Sequence, residues 1–450
     1  MIRIRILDGY RVIGGNKILV ESEEGSILLD FGMNFASWGE YFEEFINPRT
    51  GLIIKDLLKL GLLPKIDIYR TDLTANLELP RLSNEIIFAF LSHAHMDHIG
   101  FIGLLKENIP ILSTAETLAL IIALNEIHSE EKSRLIVEKR IPGSYPIRED
   151  VLIKQRSNKE PIKRTLIYSG NNGISSLPLL VERIDEYFEE LNIEDSFSAK
   201  FVDAKILPVY HSVVGSAGIY FRLGGIRFLY TGDLRDSPLP EEESLLLDIG
   251  KNRLELANST KRMIDYVKNK VDVLIIEGTR TKESHSVITE TTLYSNVYEE
   301  IKKSKGKLVI ADFPFRHLER FHTFLKVAEE TDRQLVVLTK DYLLLNTLAM
   351  INSDWDFKKY IGHIRVYHQG KGDWRGWEIK FLKGEIFNNP PIEDILIEPS
   401  EIEKSPGSYI LNIGYYELPN LLDFSYDTLN GAIYIHSNSE AYTEEQNLDC

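Results

Sequence analysis

Residues 93–98 read His-Ala-His-Met-Asp-His, so three of the chain's 11 histidines and one aspartate share six consecutive positions. Neutral imidazoles and carboxylates are ligands for zinc, and equally for manganese or iron. The run follows the apolar stretch IIFAFLS at 86–92 and precedes a helical start near Ile99. A loop held between two rigid elements can turn its side chains toward one point. One ion cannot use His93, His95, Asp97 and His98 together at this spacing. The run therefore implies two divalent cations about 3.5–4 Å apart, a clamp suited to hydrolysis. The bland alternative is a polar surface loop, and so dense a cluster at a strand exit speaks against it.

Further ligand types stand where other apolar runs stop. His211 ends AKILPVYH and is followed by Gly215 and Gly218, which let backbone approach closely. A lone histidine there would as readily be a buried, hydrogen-bonded side chain. Asp233 ends IRFLYTGD, and its two oxygens suit it to bridge two cations, whereas an Asx turn or helix cap is the competing role. Asp30, in ILLDFG, reads as a partner that orients a ligand histidine or a loop backbone. Glu277, in VLIIEGT, would orient a histidine or move a proton, or simply cap the residues after Gly278.

The elements that must position these residues follow from periodicity. Alternating, β-branched runs with glycine turns make 1–32 a set of paired strands, and a helical pattern runs from Thr50 to Leu62. Residues 99–145 read mainly as helix, capped by Ser113 or Thr114, and LPLLVERIDEYFEEL is an amphipathic stretch. Strand texture returns from 203 to 277, broken by the helical run STKRMIDYVKNK. From about 286, helices alternate with the strands KLVIADFP, QLVVLT and IRVYH, the pattern of a parallel α/β layer packed beside the first unit. The last strand, GAIYIH, is expected to return to the first unit.

Composition bounds the chemistry. With 450 residues, 43% of them hydrophobic, the chain can bury a large core in two or more units. Its single cysteine, Cys450, permits neither an internal disulfide nor a cysteine-held metal. No basic-apolar leader and no apolar run of membrane-spanning length is present, so a cytoplasmic enzyme is expected. The net charge of −16 opposes a generally basic nucleic-acid footprint but allows a local positive channel near bound cations. Abundant Ile, Lys and Glu carry a thermophile-like bias. Lys302, Lys303, Lys305 and Lys307 read as a solvated helix end.

HAHMDH resembles the His-x-His-x-Asp-His signature of the metallo-β-lactamase superfamily, and LLDFG, His211 and YTGD recur in the expected order. The resemblance implies an αββα sandwich in which His93, His95 and His211 hold one metal, Asp97 and His98 a second, with Asp233 as bridge. EGTR at Glu277 and the segment FPFRHLERFHTFLKVAEETDRQLVV resemble the β-CASP ribonuclease group, which includes ribonuclease J and the messenger RNA 3′-end cleavage factor. That implies a metallo-β-lactamase-like domain at 1–279, an inserted parallel α/β domain at 280–430, and a return segment at 431–450. β-CASP proteins carry two further histidine motifs beyond such a return. The sequence stops at Cys450 before either, so truncation or loss of part of the site is expected, and His436 precedes both.

The activity this resemblance implies is hydrolysis of single-stranded RNA by water activated on two divalent metals, zinc by family, with Asp97, Asp233 and Glu277 as catalytic residues. A small-molecule ester or thioester hydrolase and a non-catalytic subunit of an RNA-processing assembly are the competing readings. Oligomeric state is open, and a homodimer is compatible with the sequence. Trp374, Trp377 and Arg375 would stack on bases or pack a surface loop. Arg316 and Arg320, on a possible shared helix face, are anion-binding candidates, and His317 and His322 read as helical residues near the core edge.

Overall fold

The computed structural model describes residues 1–42, 46–49, 52–74, 77–128, 131–135, 137–139, 147–148, 151–152, 160–170, 174, 188–193, 196–199, 202–279, 288–351, 360, 362–370, 374, 376–385 and 392–438. A seven-stranded sheet runs in chain order through Arg3–Asp8, Lys17–Glu21, Ser26–Leu29, Ile86–Phe90, Ile111–Thr114, Arg164–Ser169 and Phe188–Ile193. Its first three strands are antiparallel and the rest pair in parallel. A five-stranded sheet, again in chain order, holds Ser196–Ala199, Val202–Pro208, Ala217–Leu223, Ile226–Tyr230 and Val273–Ile275.

The two sheets pack face to face because alternate residues of both are large and apolar. Val20, Ile27, Leu29, Phe88 and Phe90 meet Ile206, Ile219, Phe221 and Phe228 in one buried cluster. The intervening residues Leu19, Leu28, Ala89 and Leu91 point the other way, into the helices on the far side. Helix Ser259–Val267 covers the outer face of the second sheet with Met263 and Val267 against Leu207 and Leu229. Helix, sheet, sheet and helix are thus stacked in layers.

A third sheet is wholly parallel, in the order Leu396–Ile397, Ile364–Tyr367, Gln334–Val337, Tyr409–Asn412, Val309–Asp312 and Ile433–His436. Helix Ala115–Ile127 joins the two parts. It is buried around nearly its whole circumference, between the first sheet on one side and helix Thr339–Ile351 on the other. Each fully buried Leu or Ile there contributes roughly 1.5–3 kcal/mol.

Several expectations change. Ile433–His436 does not return to the first unit: it pairs in parallel with Val309–Asp312 at the edge of the third sheet, where its apolar face finds the open strand. The 99–145 stretch holds a buried strand, Ile111–Thr114, ahead of its helix, because four residues, two apolar and two hydroxylic, carry no readable period. Thr114 is the cap, accepting from the Thr117 amide. Most of LPLLVERIDEYFEEL lies outside the described residues, and its end is strand Phe188–Ile193, parallel to Arg164–Ser169.

Candidate metal centre

The 93–98 loop leaves strand Ile86–Phe90 and enters a single helical turn, Met96–Ile99, so its histidines emerge at the C-terminal end of a buried strand. Backbone bonds from neighbouring elements hold it: Phe31 N donates to His98 O (2.8 Å), Met33 N to Met96 O (3.0 Å) and Asn16 N to Asp97 O (3.0 Å). At Gly32 a Cβ would fall 1.6 Å from the Asp97 carbonyl oxygen, so only glycine lets these two segments approach.

His93, His95 and His211 form one converging group, and His93, His98 and Asp233 a second, with ligand atoms in each within 4.8 Å of one another. His93 Nε2 lies 2.9 Å from His95 Nδ1, and His211 Nε2 lies 3.4 Å from the same atom. Asp233 spans both groups. Its Oδ1 is 3.3 Å from His98 Nε2, while its Oδ2 is 3.9 Å from both His93 Nε2 and His211 Nε2. Asp97 Oδ2 is 3.6 Å from His98 Nε2 but belongs to neither group. Five residues separated by up to 140 positions in sequence therefore converge, with Asp97 beside them.

On His93 and His98 the outward nitrogens are already engaged, which directs the remaining ones inward. His93 Nδ1 faces Ser92 Oγ at 3.0 Å and His98 Nδ1 faces Asp30 Oδ2 at 2.7 Å. Asp30 is fully buried and takes the left-handed backbone conformation at φ 54°, which a short polar side chain tolerates. It accepts from Ser92 N (2.7 Å), Ser92 Oγ (2.7 Å) and Tyr230 Oη (2.5 Å) as well. Asn16, Ser92 and Tyr230 were not marked by the sequence. Asn16 Nδ2 lies 3.1 Å from His98 Nε2 and comes from a glycine turn that carries no motif of its own.

Protonation divides the site. Burial, and then neighbouring positive groups, push His93 and His95 well below the usual imidazole range, and burial lowers His211 to about 4, so these are neutral donors. Burial also acts to lower His98, but Asp233, Asp30 and Asp97 outweigh it and hold its proton well above that range. Burial raises Asp97. For Asp233 burial pulls upward, and the His98 charge overcomes it to leave the carboxyl below its ordinary value. His93, His95 and His211 beside the Asp233 carboxylate are donors of the kind a divalent cation requires, whereas His98 would have to release a proton to a cation that binds it.

The remaining candidates fall elsewhere. Glu277 lies outside both groups and accepts from Leu234 N (2.7 Å) and Thr279 Oγ1 (2.6 Å), which anchors the loop after Asp233. Arg316 precedes helix Leu318–Glu330 rather than sharing a face with Arg320, and donates to Ala94 O at 2.5 Å, between two predicted ligands. His317 caps that helix, and its backbone bridges Val213 two residues beyond His211. His322 faces Asp248 (2.9 Å), and Arg320 is paired with Glu290 (2.9 Å). Trp374 lies against His368 and Trp377 borders the core, whereas Arg375 is outside the described residues. His436 lies 3.2 Å from Asp312, among residues of the third sheet. Among the described residues no helix is long and apolar enough to cross a membrane.

Comparison with known proteins agrees with this geometry. Ribonuclease J of Helicobacter pylori is 20% identical over 373 residues, covering 82% of this chain and 39% of its own length. An RNase J-like protein of Methanocaldococcus jannaschii is 24% identical over 317 residues, 70% of this chain and 52% of that protein. Transcription termination factor FttA of Pyrococcus abyssi is 27% identical over 172 residues, 37% of this chain and 20% of the factor. The chain thus spans about two fifths of the length of the first curated relatives it matches. A crystal structure of a protein of unknown function from Enterococcus faecalis V583 shares the fold with a TM-score of 0.59 at 17% identity, over 100% of this chain and 90% of that one. The model of the metallo-beta-lactamase superfamily matches residues 71–270, the span that carries the HAHMDH loop, His211 and Asp233, and in that span the chain is similar to that superfamily.

Proposed function

We propose that this chain is the nuclease part of a β-CASP-type ribonuclease that hydrolyses phosphodiester bonds of single-stranded RNA with two divalent ions, zinc being the ion the donor set favours. The observation that carries the reading is Asp233, whose two oxygens face different histidines across two converging groups that share His93. Relatives named ribonuclease J support the substrate class. In this reading residues 1–279 form the metal-holding domain, and the parallel sheet that follows, Ile433–His436 included, forms the inserted one.

His93, His95 and His211 would hold one ion, and His98, Asp233 and Asp97 the other. Bound there, such ions supply an acidified water and neutralise charge that develops on phosphate oxygens. The residues do the rest. Asp233 fixes the spacing of the two groups, and Asp30 holds the His98 ring so that Nε2 faces the reacting centre. Asp97 Oδ2, at the rim with its pKa raised by burial, is placed to accept a proton from the attacking water. Glu277 acts on Asp233 through the Leu234 amide. The strand of substrate would lie over the two groups, with the Arg316–His317 segment, which touches this loop from the third-sheet side, as one border.

The test is hydrolysis of an end-labelled single-stranded RNA by zinc- or manganese-loaded protein, beside Asp233→Ala and a small carboxylic or thioester substrate. RNA cleavage lost in the variant supports the reading. Turnover of the small ester without RNA cleavage identifies a small-molecule hydrolase, and full metal loading with neither activity identifies a non-catalytic subunit.

A further inference from the structure

Arg235 stands two residues beyond Asp233, where the metal-holding loop meets the end of strand Ile226–Tyr230. Its backbone amide donates to Tyr210 O at 2.6 Å, which ties it to the residue before His211. Its guanidinium carbon lies 6.0 Å from the centre of the Tyr210 ring, as does that of Arg253. The side chain is half-buried. After burial, its charge is the largest influence that lowers His317, whose backbone bridges Val213 just beyond His211.

Its neighbours are neutralised and it is not. Arg253 is held by the buried carboxylate of Glu319 at 2.7 Å, Arg320 by Glu290 at 2.9 Å, and Lys340 by Glu417. Arg235 pairs with no carboxylate among the described residues, in a chain whose net charge is −16. Among the described residues, this guanidinium thus stands without a carboxylate beside another arginine and beside two groups built to take cations. Like charges so placed repel unless an anion joins them. A guanidinium is suited to a phosphate, which it can hold through two parallel N–H···O bonds.

We propose that Arg235 binds a second phosphate of the substrate strand, next to the one being hydrolysed, and so makes the centre prefer a polymer over an isolated diester. This rests on the RNA reading given above. A small diester has one phosphate, which the metal groups occupy. Only a strand offers another to Arg235.

The experiment compares wild type, Arg235→Ala and Arg235→Lys, all metal-loaded, on a single-stranded RNA oligonucleotide and on bis(4-nitrophenyl) phosphate. Oligonucleotide Kd, kcat/KM and their salt dependence are measured. Arg235→Ala is expected to weaken oligonucleotide binding about tenfold and to flatten the log Kd against log salt slope by about 0.7, the value for one phosphate of a single strand. Its loss in kcat/KM on the oligonucleotide should exceed that on the small diester at least fivefold, and Arg235→Lys should recover part of the binding. Equal losses on both substrates, or an unchanged salt slope, overturn the proposal. Arg235-dependent oligonucleotide binding without cleavage keeps this subsite and overturns the nuclease reading alone. A wild type that neither binds nor cuts the oligonucleotide overturns both.

Discussion

Asp30 Oδ2 lies 2.7 Å from His98 Nδ1, although 68 residues separate the two in the chain. That one contact fixes which nitrogen of His98 carries a proton and turns Nε2 toward Asp233. Asp30→Asn replaces a charged acceptor by a neutral amide of the same size. It is expected to lower metal affinity at the His93–His98–Asp233 group by about 10–100-fold, read by competition with a chromophoric chelator. Affinity within twofold of wild type would show that the contact does not orient the ligand.

Metal stoichiometry distinguishes the two groups. His211→Ala removes a donor from one group and leaves the other whole, so elemental analysis should find metal content reduced from two ions per chain toward one. His93→Ala strikes both groups, because His93 is common to them, and should leave the chain nearly metal-free. Equal residual content in the two variants would show that the groups are not separate sites.

The buried pair of Arg253 and Glu319 ties the helix Lys251–Ala257 to the helix Leu318–Glu330, with both side chains almost completely removed from solvent. Glu319→Ala leaves a buried guanidinium without its partner, an expected loss of about 3–5 kcal/mol in unfolding free energy. Arg253→Met with Glu319→Leu should cost far less, because both charges are removed together. Chemical denaturation of the single and double variants measures this, and additive losses would refute a direct coupling.

Asp341 gives stability a pH dependence. Burial pushes its carboxyl from 3.8 up to about 7, against the opposing pull of Lys340. Because the folded value exceeds the unfolded one, the folded state holds a proton that the unfolded chain releases as pH rises through about 4 to 7. Stability from this group therefore falls across that window and stays low above it. Its side chain is partly open to solvent, which limits the penalty to roughly 1–3 kcal/mol. Asp341→Asn should be more stable than wild type at pH 8 and equal to it near pH 4, by thermal or urea unfolding. A stability gain that does not change with pH would exclude this titration.

How much was legible beforehand depended on whether the signal was local. The 93–98 run announces a metal site because its ligands are adjacent, and His211 and Asp233 could be found because each ends an apolar strand, a place where side chains reach a sheet rim. The layered sandwich follows from strands with alternating apolar residues, and the parallel third sheet from strands separated by helices. Strand Ile111–Thr114 was hidden because four residues carry no period of their own.

The sequence by itself therefore determined the chemistry of the donor set, since residue type sets what an atom can ligate. Only the tertiary structure decided the distribution of roles. It alone set Asp97 at the rim, gave Glu277 to the Leu234 amide, and brought Asn16, Tyr230 and Arg316 to the metal loop. It also placed Ile433–His436 in the third sheet, because a strand joins whichever open edge its flanking contacts bring nearest, and no residue type encodes that edge. Contacts between segments dozens to hundreds of residues apart depend on how sheets stack and helices dock, and that packing is a property of the whole chain.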